Sequence, residues 1–210
     1  MPMTMHRKKE QGLATRQKIL EAAEDIFFEK GAALTTLEQI ADRANVTRGA
    51  IYGHFKNKRM LLEHIIDSAV LPLLDIFRET ISRDPIPSFE QLQKAHVQVI
   101  TDIINSAELK KRLSIAFVKC EYTEEFAYLI EQSIHYHDEV RNIYKVFFSR
   151  MEKSGIKLAK NPEIMADALM LYVTGMLTEY FKHPGQTNLE KNINDYFDLF
   201  FFPISCPSPE

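Results

Sequence analysis

Apolar residues recur at the spacing of an α-helix along almost the whole chain, and no segment alternates as a β-strand would. The clearest stripe places five apolar side chains on one helix face, at i, i+3, i+4, i+7 and i+8: Ile19, Ala22, Ala23, Ile26 and Phe27. Further helices are expected at about 37–44, from 58 past Leu74, and at 88–106, 109–120, 123–154, 162–182 and 188–203. We therefore expect an all-α protein.

Cap residues predict where these helices begin. Thr15 is the expected N-cap of the first helix, because Thr is favoured at that position. The second helix begins with a capping box, in which either Thr36 pairs with Gln39 or Thr35 pairs with Glu38. The later caps expected from similar signals are Asn57, Ser88, Asn161 and Thr187.

The second and third helices form a tight pair. Asn45, which tolerates the left-handed conformation, follows the second helix, and Thr47 can cap the third. Ile51 and Phe55 share one face of that third helix. Helices this short are not stable alone, so they must pack on the first as a three-helix unit. This is a helix-turn-helix, with residues 47–55 presented outward as the recognition helix.

Two glycines in that helix indicate what it does. A glycine inside a helix costs roughly 1 kcal/mol relative to Ala, yet Gly49 and Gly53 lie only four residues apart. We expect Gly49 to let backbone N–H groups approach DNA closely. Arg48 is long enough to reach a guanine edge in the major groove. The neighbouring side chains that can contact DNA are Thr47, Tyr52, His54 and Lys56.

The fourth helix begins with two cations and contains a proline. Lys58 and Arg59 stand where positive charge opposes the helix dipole. A DNA phosphate bound there would reverse that balance; the alternative is two solvated surface charges. Pro72 is expected to bend or interrupt the helix.

The charge is unevenly distributed although the net charge is only −3. Residues 1–60 carry eleven basic and seven acidic side chains, whereas residues 61–210 carry fifteen and twenty-two. Residues 43–62 hold five basic side chains and no acidic one. A local basic surface on an acidic body favours DNA as a partner.

These residues carry a family resemblance. The sequence TRQKILEAAEDIFFEKG…TTLEQIADRANVTRGAIYGHFKNKRMLL, within roughly residues 13–65, resembles the DNA-binding domain of the TetR family of bacterial repressors. RGAIYGHFKNK and FVKCE (117–121) are most similar to the AcrR-like branch, which governs multidrug efflux pumps. The chain departs from that branch at Gly53, where its members often carry a bulky aromatic residue.

The resemblance implies a helix-turn-helix domain over residues 1–60 and a helical ligand-binding and dimerisation domain over 61–210. It implies a homodimer through about 162–182 and 188–203 on a palindromic operator. The apolar content of those two helices, including LFFFP (199–203), independently favours an interface. The residue pattern and the resemblance together predict DNA contacts by Thr36, Thr47, Arg48, Gly49, Ala50, Tyr52, His54, Lys56 and Lys58.

An inducer cavity is also implied for the C-terminal domain, for a small lipophilic molecule. A few polar groups in an apolar cavity would orient such a ligand. The candidate residues are Asn105, Phe117, Glu121, Gln132, His135 and Tyr136. For each of them, an ordinary core or surface position is the alternative interpretation.

Other functional classes receive little support from the sequence. His135 and His137 stand two residues apart on a helix and cannot chelate one ion, so no metal and no cofactor is expected. The phosphate-loop, dinucleotide-binding, zinc-protease and serine-hydrolase motifs are all absent, so no enzyme activity is expected. No stretch is long enough to span a bilayer, no signal peptide is visible, and a cytoplasmic location is expected.

The function expected from the sequence is therefore a ligand-responsive transcriptional repressor of an efflux-pump operon. Two alternatives remain open. One is a TetR-like regulator of a metabolic operon that senses an acyl or aromatic metabolite. The other is a helical ligand carrier or enzyme that contains a helix-turn-helix.

Overall fold

The computed structural model describes residues 3–119 and 127–205, and every regular element in these two ranges is helical. The prediction of an all-α protein is confirmed. In chain order the helices are α1 (Met3–Lys30), α2 (Leu37–Ala44), α3 (Arg48–Tyr52), α4 (Lys58–Ser82), α5 (Phe89–Asn105), α6 (Ala107–Ser114), α7 (Ala127–Lys153), α8 (Pro162–Lys182) and α9 (Leu189–Ser205). A π-helical turn, Ile115–Lys119, follows α6 directly.

The chain divides into two compact units. Met1–Val70 and Lys111–Ala127 form the first, and Leu71–Lys110 and Tyr128–Glu210 form the second. The division falls inside α4 and again inside α6, so each of these two helices contributes residues to both units.

The core of the first unit is built where the sequence pattern placed it. Ile19, Ala23 and Phe27 on α1 are completely buried, and Ile40 of α2 and Ile51 of α3 are buried with them. Neither α2 nor α3 has enough apolar surface to be stable alone, so burial of these side chains against α1 stabilises the helix-turn-helix.

The core of the second unit is aromatic and surrounds one histidine. His96 of α5 is fully buried, with its ring centroid 5.4 Å from that of Phe197 on α9 and 4.5 Å from that of Phe77 on α4. Tyr144 of α7 completes the cluster, because its hydroxyl lies 2.8 Å from His96 Nε2. These contacts join four helices of this unit.

The start of α1 differs from the prediction. The helix begins at Met3, and Thr15 lies inside it with its hydroxyl donating to the carbonyl of Gln11 at 2.9 Å. Thr15 is therefore not an N-cap, because its side chain is satisfied by the preceding turn. The helix expected to begin after Thr15 therefore starts thirteen residues earlier, and Gly12 lies within it.

Most of the other caps are confirmed. The Thr36 side chain accepts from the backbone of Gln39, which selects this box over the Thr35 alternative. Asn57, Ser88 and Asn161 each cap the helix that follows them. The Thr187 prediction is wrong: α9 starts after Asn188, and in the described chain the Thr187 hydroxyl is buried without a hydrogen-bond partner. Pro72 does not interrupt α4.

Candidate nucleic-acid interface

A tight turn sets the direction of α3 relative to α2. Asn45 adopts φ 52° and ψ 50°, the left-handed conformation expected for it. Its backbone N–H donates to the carbonyl of Asp42 at 3.1 Å, and that of Val46 donates to Ala41 at 3.0 Å. Because these bonds satisfy the last carbonyls of α2, the chain can leave that helix abruptly.

The recognition helix α3 is held by a cap at one end and by apolar anchors on its inner face. Thr47 is the N-cap, and its hydroxyl oxygen accepts from the backbone N–H of Ala50 at 3.1 Å. Ile51 and Phe55 are 0% and 2% exposed. The helix itself is shorter than predicted, since Gly53 is already its C-cap.

The outer face of α3 carries the side chains expected to meet DNA. Thr47, Arg48, Gly49 and Tyr52 are exposed, and Ala50 is half-buried. Arg48 Nη2 donates to the hydroxyl of Tyr52 at 3.3 Å, and its guanidinium carbon lies 5.7 Å from the centre of that ring. Since one N–H of the guanidinium is engaged in this bond, the others remain available to a base edge or a phosphate.

Two threonines at helix starts can bind phosphate without losing their caps. Thr36 Oγ1 accepts from the backbone of Gln39 at 3.2 Å, as Thr47 Oγ1 does from Ala50. A hydroxyl oxygen that accepts still has its own hydrogen to donate. Both exposed hydroxyls can therefore donate to phosphate oxygens while the helix starts stay intact.

The cations at the start of α4 have protein partners, which revises the phosphate hypothesis for that position. Lys58 Nζ donates to the carbonyl oxygens of Thr35 at 2.9 Å and Ala33 at 3.3 Å. Arg59 Nε donates to Glu63 at 2.7 Å. Lys58 thus holds the loop before α2.

Ion pairs neutralise part of the positive charge of residues 43–62. Arg43 forms a two-pronged pair with Glu29, with N–O distances of 3.0 and 2.9 Å. Arg59 is paired as well. Arg48 and Lys56 are exposed and form no ion pair within the described residues, so they carry the positive charge presented beside α3.

Helix α1 supports the end of α3 through residues that the sequence pattern did not single out. Arg16 places its guanidinium carbon 5.0 Å from the centre of the Phe55 ring and its Nη atoms 3.4 Å from ring nitrogens of His64. Burial, followed by the Arg16 charge, lowers the pKa of His64, so the neutral ring accepts from the guanidinium. Arg16 lies three residues before Ile19, and this spacing was the available signal for a position on the packed face.

The predicted ligand residues are less clustered than the DNA residues. Gln132 and Tyr136 meet on α7, where Gln132 Nε2 donates to the Tyr136 hydroxyl at 2.9 Å, and both are half-buried. His135 and Asn105 are exposed. Phe117 is half-buried in the π-helical turn of the first unit. The remaining candidate lies outside the described residues: Glu121.

Two further properties concern the described chain. None of its helices combines the length and the hydropathy that crossing a bilayer requires. Among the same residues, no three His, Cys, Asp or Glu side chains come together as metal ligands would.

Comparisons with known proteins agree with this geometry. The family described as bacterial regulatory proteins, tetR family, matches residues 19–65. The transcriptional repressor BepR of Brucella suis biovar 1 (strain 1330) is 30% identical over 177 residues, which cover 84% of this chain and 85% of BepR.

Two solved structures have the same fold over nearly the whole chain. NalD, the secondary repressor of the MexAB-OprM multidrug efflux pump in Pseudomonas aeruginosa, superposes with a TM-score of 0.81 at 28% identity, covering 92% of this chain and 96% of NalD. The triclosan complex of SmeT, repressor of the Stenotrophomonas maltophilia efflux pump SmeDEF, gives 0.80 at 27%, covering 94% and 100%. With its helix-turn-helix in place and a relative this similar along most of its length, the chain belongs to the TetR family.

Proposed function

We propose that this protein is a ligand-responsive transcriptional repressor of a multidrug efflux operon. The DNA-binding part of this proposal rests on α3. Its inner face is anchored by Ile51 and Phe55, and its outer face exposes Arg48, Gly49 and Tyr52. Such a helix is shaped to enter a major groove. The relatives that bear the same fold are named as efflux repressors.

In this proposal residues 1–60 form the DNA-binding domain. Arg48 reads a base edge, because it is the long donor-rich side chain on the exposed face of α3. Gly49 and Ala50 permit close approach of the backbone. The side chains that position the domain on phosphates are Thr36, Thr47, Tyr52, His54, Lys56 and Lys58.

Residues 61–210 form the ligand-binding and dimerisation domain. Exposed apolar side chains favour the dimer contact on α8 and α9: Leu171 is 66% exposed and Leu199 74%. Such side chains at the surface of a single chain are typical of an interface. A two-fold dimer would present two copies of α3 to a palindromic operator, one helical turn of DNA apart, about 34–36 Å, or a multiple of it.

A lipophilic ligand is proposed to bind in the second domain and to release the DNA. Gln132 and Tyr136 are the best supported contacts, because they are half-buried and already linked by a hydrogen bond. The other proposed contacts are Asn105, Phe117, Glu121 and His135. Helix α4 runs without a break from residue 58 to residue 82, so a ligand that favours one position of α4 would bias the spacing of the recognition helices.

The test is fluorescence anisotropy on the DNA upstream of the protein's own gene, with a scrambled duplex as control. We expect tight binding with clear preference for the native duplex, and release when triclosan or another lipophilic antimicrobial is added. Equal binding to both duplexes would contradict specific repression. A complex that survives a panel of such compounds would contradict ligand response.

A further inference from the structure

The N-terminal end of α1 carries a basic segment. Because the first helix was expected to begin after Thr15, this segment was not predicted to be helical. Residues 3–14 continue α1 rather than preceding it. Arg7, Lys8 and Lys9 are exposed, and none of them forms an ion pair in the described part of the chain. The adjacent acid, Glu10, is taken by His6, whose Nδ1 lies 3.1 Å from Glu10 Oε1. The segment therefore carries a net positive charge on a regular helix, and its three cations form no ion pair within the described residues.

One face of this helix lies directly against the end of the recognition helix. A Cβ built on Gly12 would stand 4.0 Å from His54 Cε1, which is ordinary contact distance. One turn further on, Arg16 covers the ring of Phe55 at 5.0 Å. The side of α1 that holds Gly12 and Arg16 is thus the side that meets α3.

Helical geometry places two of the three cations on that same side. At about 100° per residue, Lys8 and Lys9 lie roughly 40° and 60° around α1 from Gly12, and about one 5.4 Å turn further out. Arg7 lies roughly 140° away, on the opposite side. Lys18, also exposed, lies roughly 120° away. Lys8 and Lys9 therefore lie on the side of α1 that meets α3, whereas Arg7 and Lys18 lie on the other side of the same helix.

The surface formed by Lys8, Lys9, His54 and Lys56 has the chemistry of a phosphate-binding strip. Lysine is a compact point charge with three donors, suited to phosphate oxygens rather than to a particular base edge. Lys56 is exposed and only two residues beyond His54. Adding Lys8 and Lys9 extends the positive surface from the end of α3 along α1.

We infer that Lys8 and Lys9 bind DNA phosphates that flank the bases read by α3, so that α1 widens the footprint of the domain on its operator. The inference rests on the proposed DNA binding and adds a contact segment to it. Because phosphate contacts carry no sequence information, these lysines raise affinity for every duplex equally.

The experiment compares two double variants of the full-length protein that remove the same charge from the same helix. Lys8→Gln with Lys9→Gln deletes the strip, and Arg7→Gln with Lys18→Gln removes two cations from the opposite side of α1. Binding to the operator and to a scrambled duplex is measured across a salt series, and circular dichroism checks that each variant keeps its helix content.

Each lost phosphate contact should lower the slope of log K against log salt by about 0.9. A dimer loses each contact twice, so the Lys8 and Lys9 variant should lose up to about 3.6 in slope, with an unchanged ratio of operator to scrambled affinity. The Arg7 and Lys18 variant should stay near the wild-type slope. Equal slopes for the two double variants would overturn the inference, as would a changed affinity ratio. A wild-type protein that does not discriminate between the duplexes would instead contradict the proposed function.

Discussion

Glu24 of α1 and Arg112 of α6 form an ion pair in which Arg112 Nε donates to Glu24 Oε1 across 2.8 Å. The two side chains are 8% and 19% exposed, and they are 88 residues apart in the sequence. Removing either partner of an ion pair this well shielded from water would be costly, because the other charge would stay buried without it.

Two further contacts join the same parts of the first unit. Lys111 Nζ forms an ion pair with Asp25, next to the Glu24 pair. The backbone N–H of Ala32 donates to the carbonyl of Lys119 at 3.2 Å. Residues 111–119, which the family resemblance places in the ligand-binding domain, are thus attached to the helix that supports the DNA-binding helices. A π-helical turn at this point is typical of a functional position.

Replacing Arg112 with Met should destabilise the protein by about 3 kcal/mol, because it leaves the Glu24 carboxylate buried without this partner. Denaturant unfolding at fixed protein concentration measures the change. The control is Arg141→Met, which breaks an exposed pair with Asp167 and should leave the unfolding midpoint nearly unchanged. Equal midpoints for the two variants would show that the pair does not hold this segment.

Acid should destabilise the protein through His96. Its Nδ1–H donates to the carbonyl of Leu92 at 2.8 Å, and its Nε2 accepts from Tyr144, whose pKa is raised by burial. Burial lowers the pKa of His96 from 6.5 to about 4. The neutral form is therefore favoured by folding, and this contribution is complete above pH 6.5.

Between pH 6.5 and about 4, His96 binds a proton in the unfolded chain but stays neutral in the folded protein. Stability should fall by about 1.4 kcal/mol per pH unit in this window from this group alone. His96→Gln, which cannot titrate, should show a slope smaller by that amount in urea unfolding measured from pH 7 to pH 4.5. Parallel slopes for wild type and variant would rule out His96 as the titrating group.

Gly49→Ala should separate stability from DNA affinity. An added Cβ would meet only the Thr47 hydroxyl, at 3.8 Å, and Gly49 has no positive φ, so alanine fits. The variant should be more stable by up to about 1 kcal/mol, because Ala is the better helix former. It should nonetheless bind the operator more weakly, since the methyl group keeps the backbone from the DNA.

Gly53→Ala is the matched control for that change. A Cβ there would lie 3.4 Å from the carbonyl oxygen of Ala50, so the substitution is also tolerated. Because Gly53 is the C-cap of α3, the variant should keep more of the operator affinity than Gly49→Ala. If Gly49→Ala binds the operator as tightly as wild type, close backbone approach is not the reason for that glycine.

A charged residue on the outer faces of α8 and α9 should dissociate the proposed dimer. Leu171→Glu and Leu199→Glu alter side chains that are 66% and 74% exposed, so neither disturbs the core of its own chain. Sedimentation velocity should show a monomer for each. Val146→Glu, at a 43% exposed position on α7, should remain dimeric. A dimeric Leu171→Glu, Leu199→Glu double variant would place the interface elsewhere.

The elements most accurately predicted from the sequence are those whose signals are local. Asn45 and Thr47 lie within a few residues of the backbone groups that they satisfy, so residue type and spacing predict both. A capping box is predicted in the same way, but the sequence leaves Thr36 with Gln39 and Thr35 with Glu38 as alternatives, and the structure selects the first. The start of α1 was misjudged because Thr15 has the chemistry of a cap, whereas inside a long helix its hydroxyl bonds to the preceding turn.

Contacts that depend on distant parts of the chain could not be predicted. Lys58 lies 23 residues from the Thr35 carbonyl that it binds, and no local pattern indicates such a partner. The attachment of Arg112 to α1 is another case, since helical periodicity predicts which face of α6 is buried and not what it meets. The ligand contacts around Gln132 and Tyr136 stay a prediction for the same reason.

The most direct measurement of the central claim is the affinity of Arg48→Ala for the operator and for a scrambled duplex, beside the wild-type protein at one salt concentration. We expect wild type to prefer the operator clearly, and the variant to lose roughly tenfold or more of that preference while its binding to scrambled DNA changes little. If the preference of Arg48→Ala equals that of wild type, α3 does not read the operator through Arg48, and the proposed role of this residue in recognition is wrong.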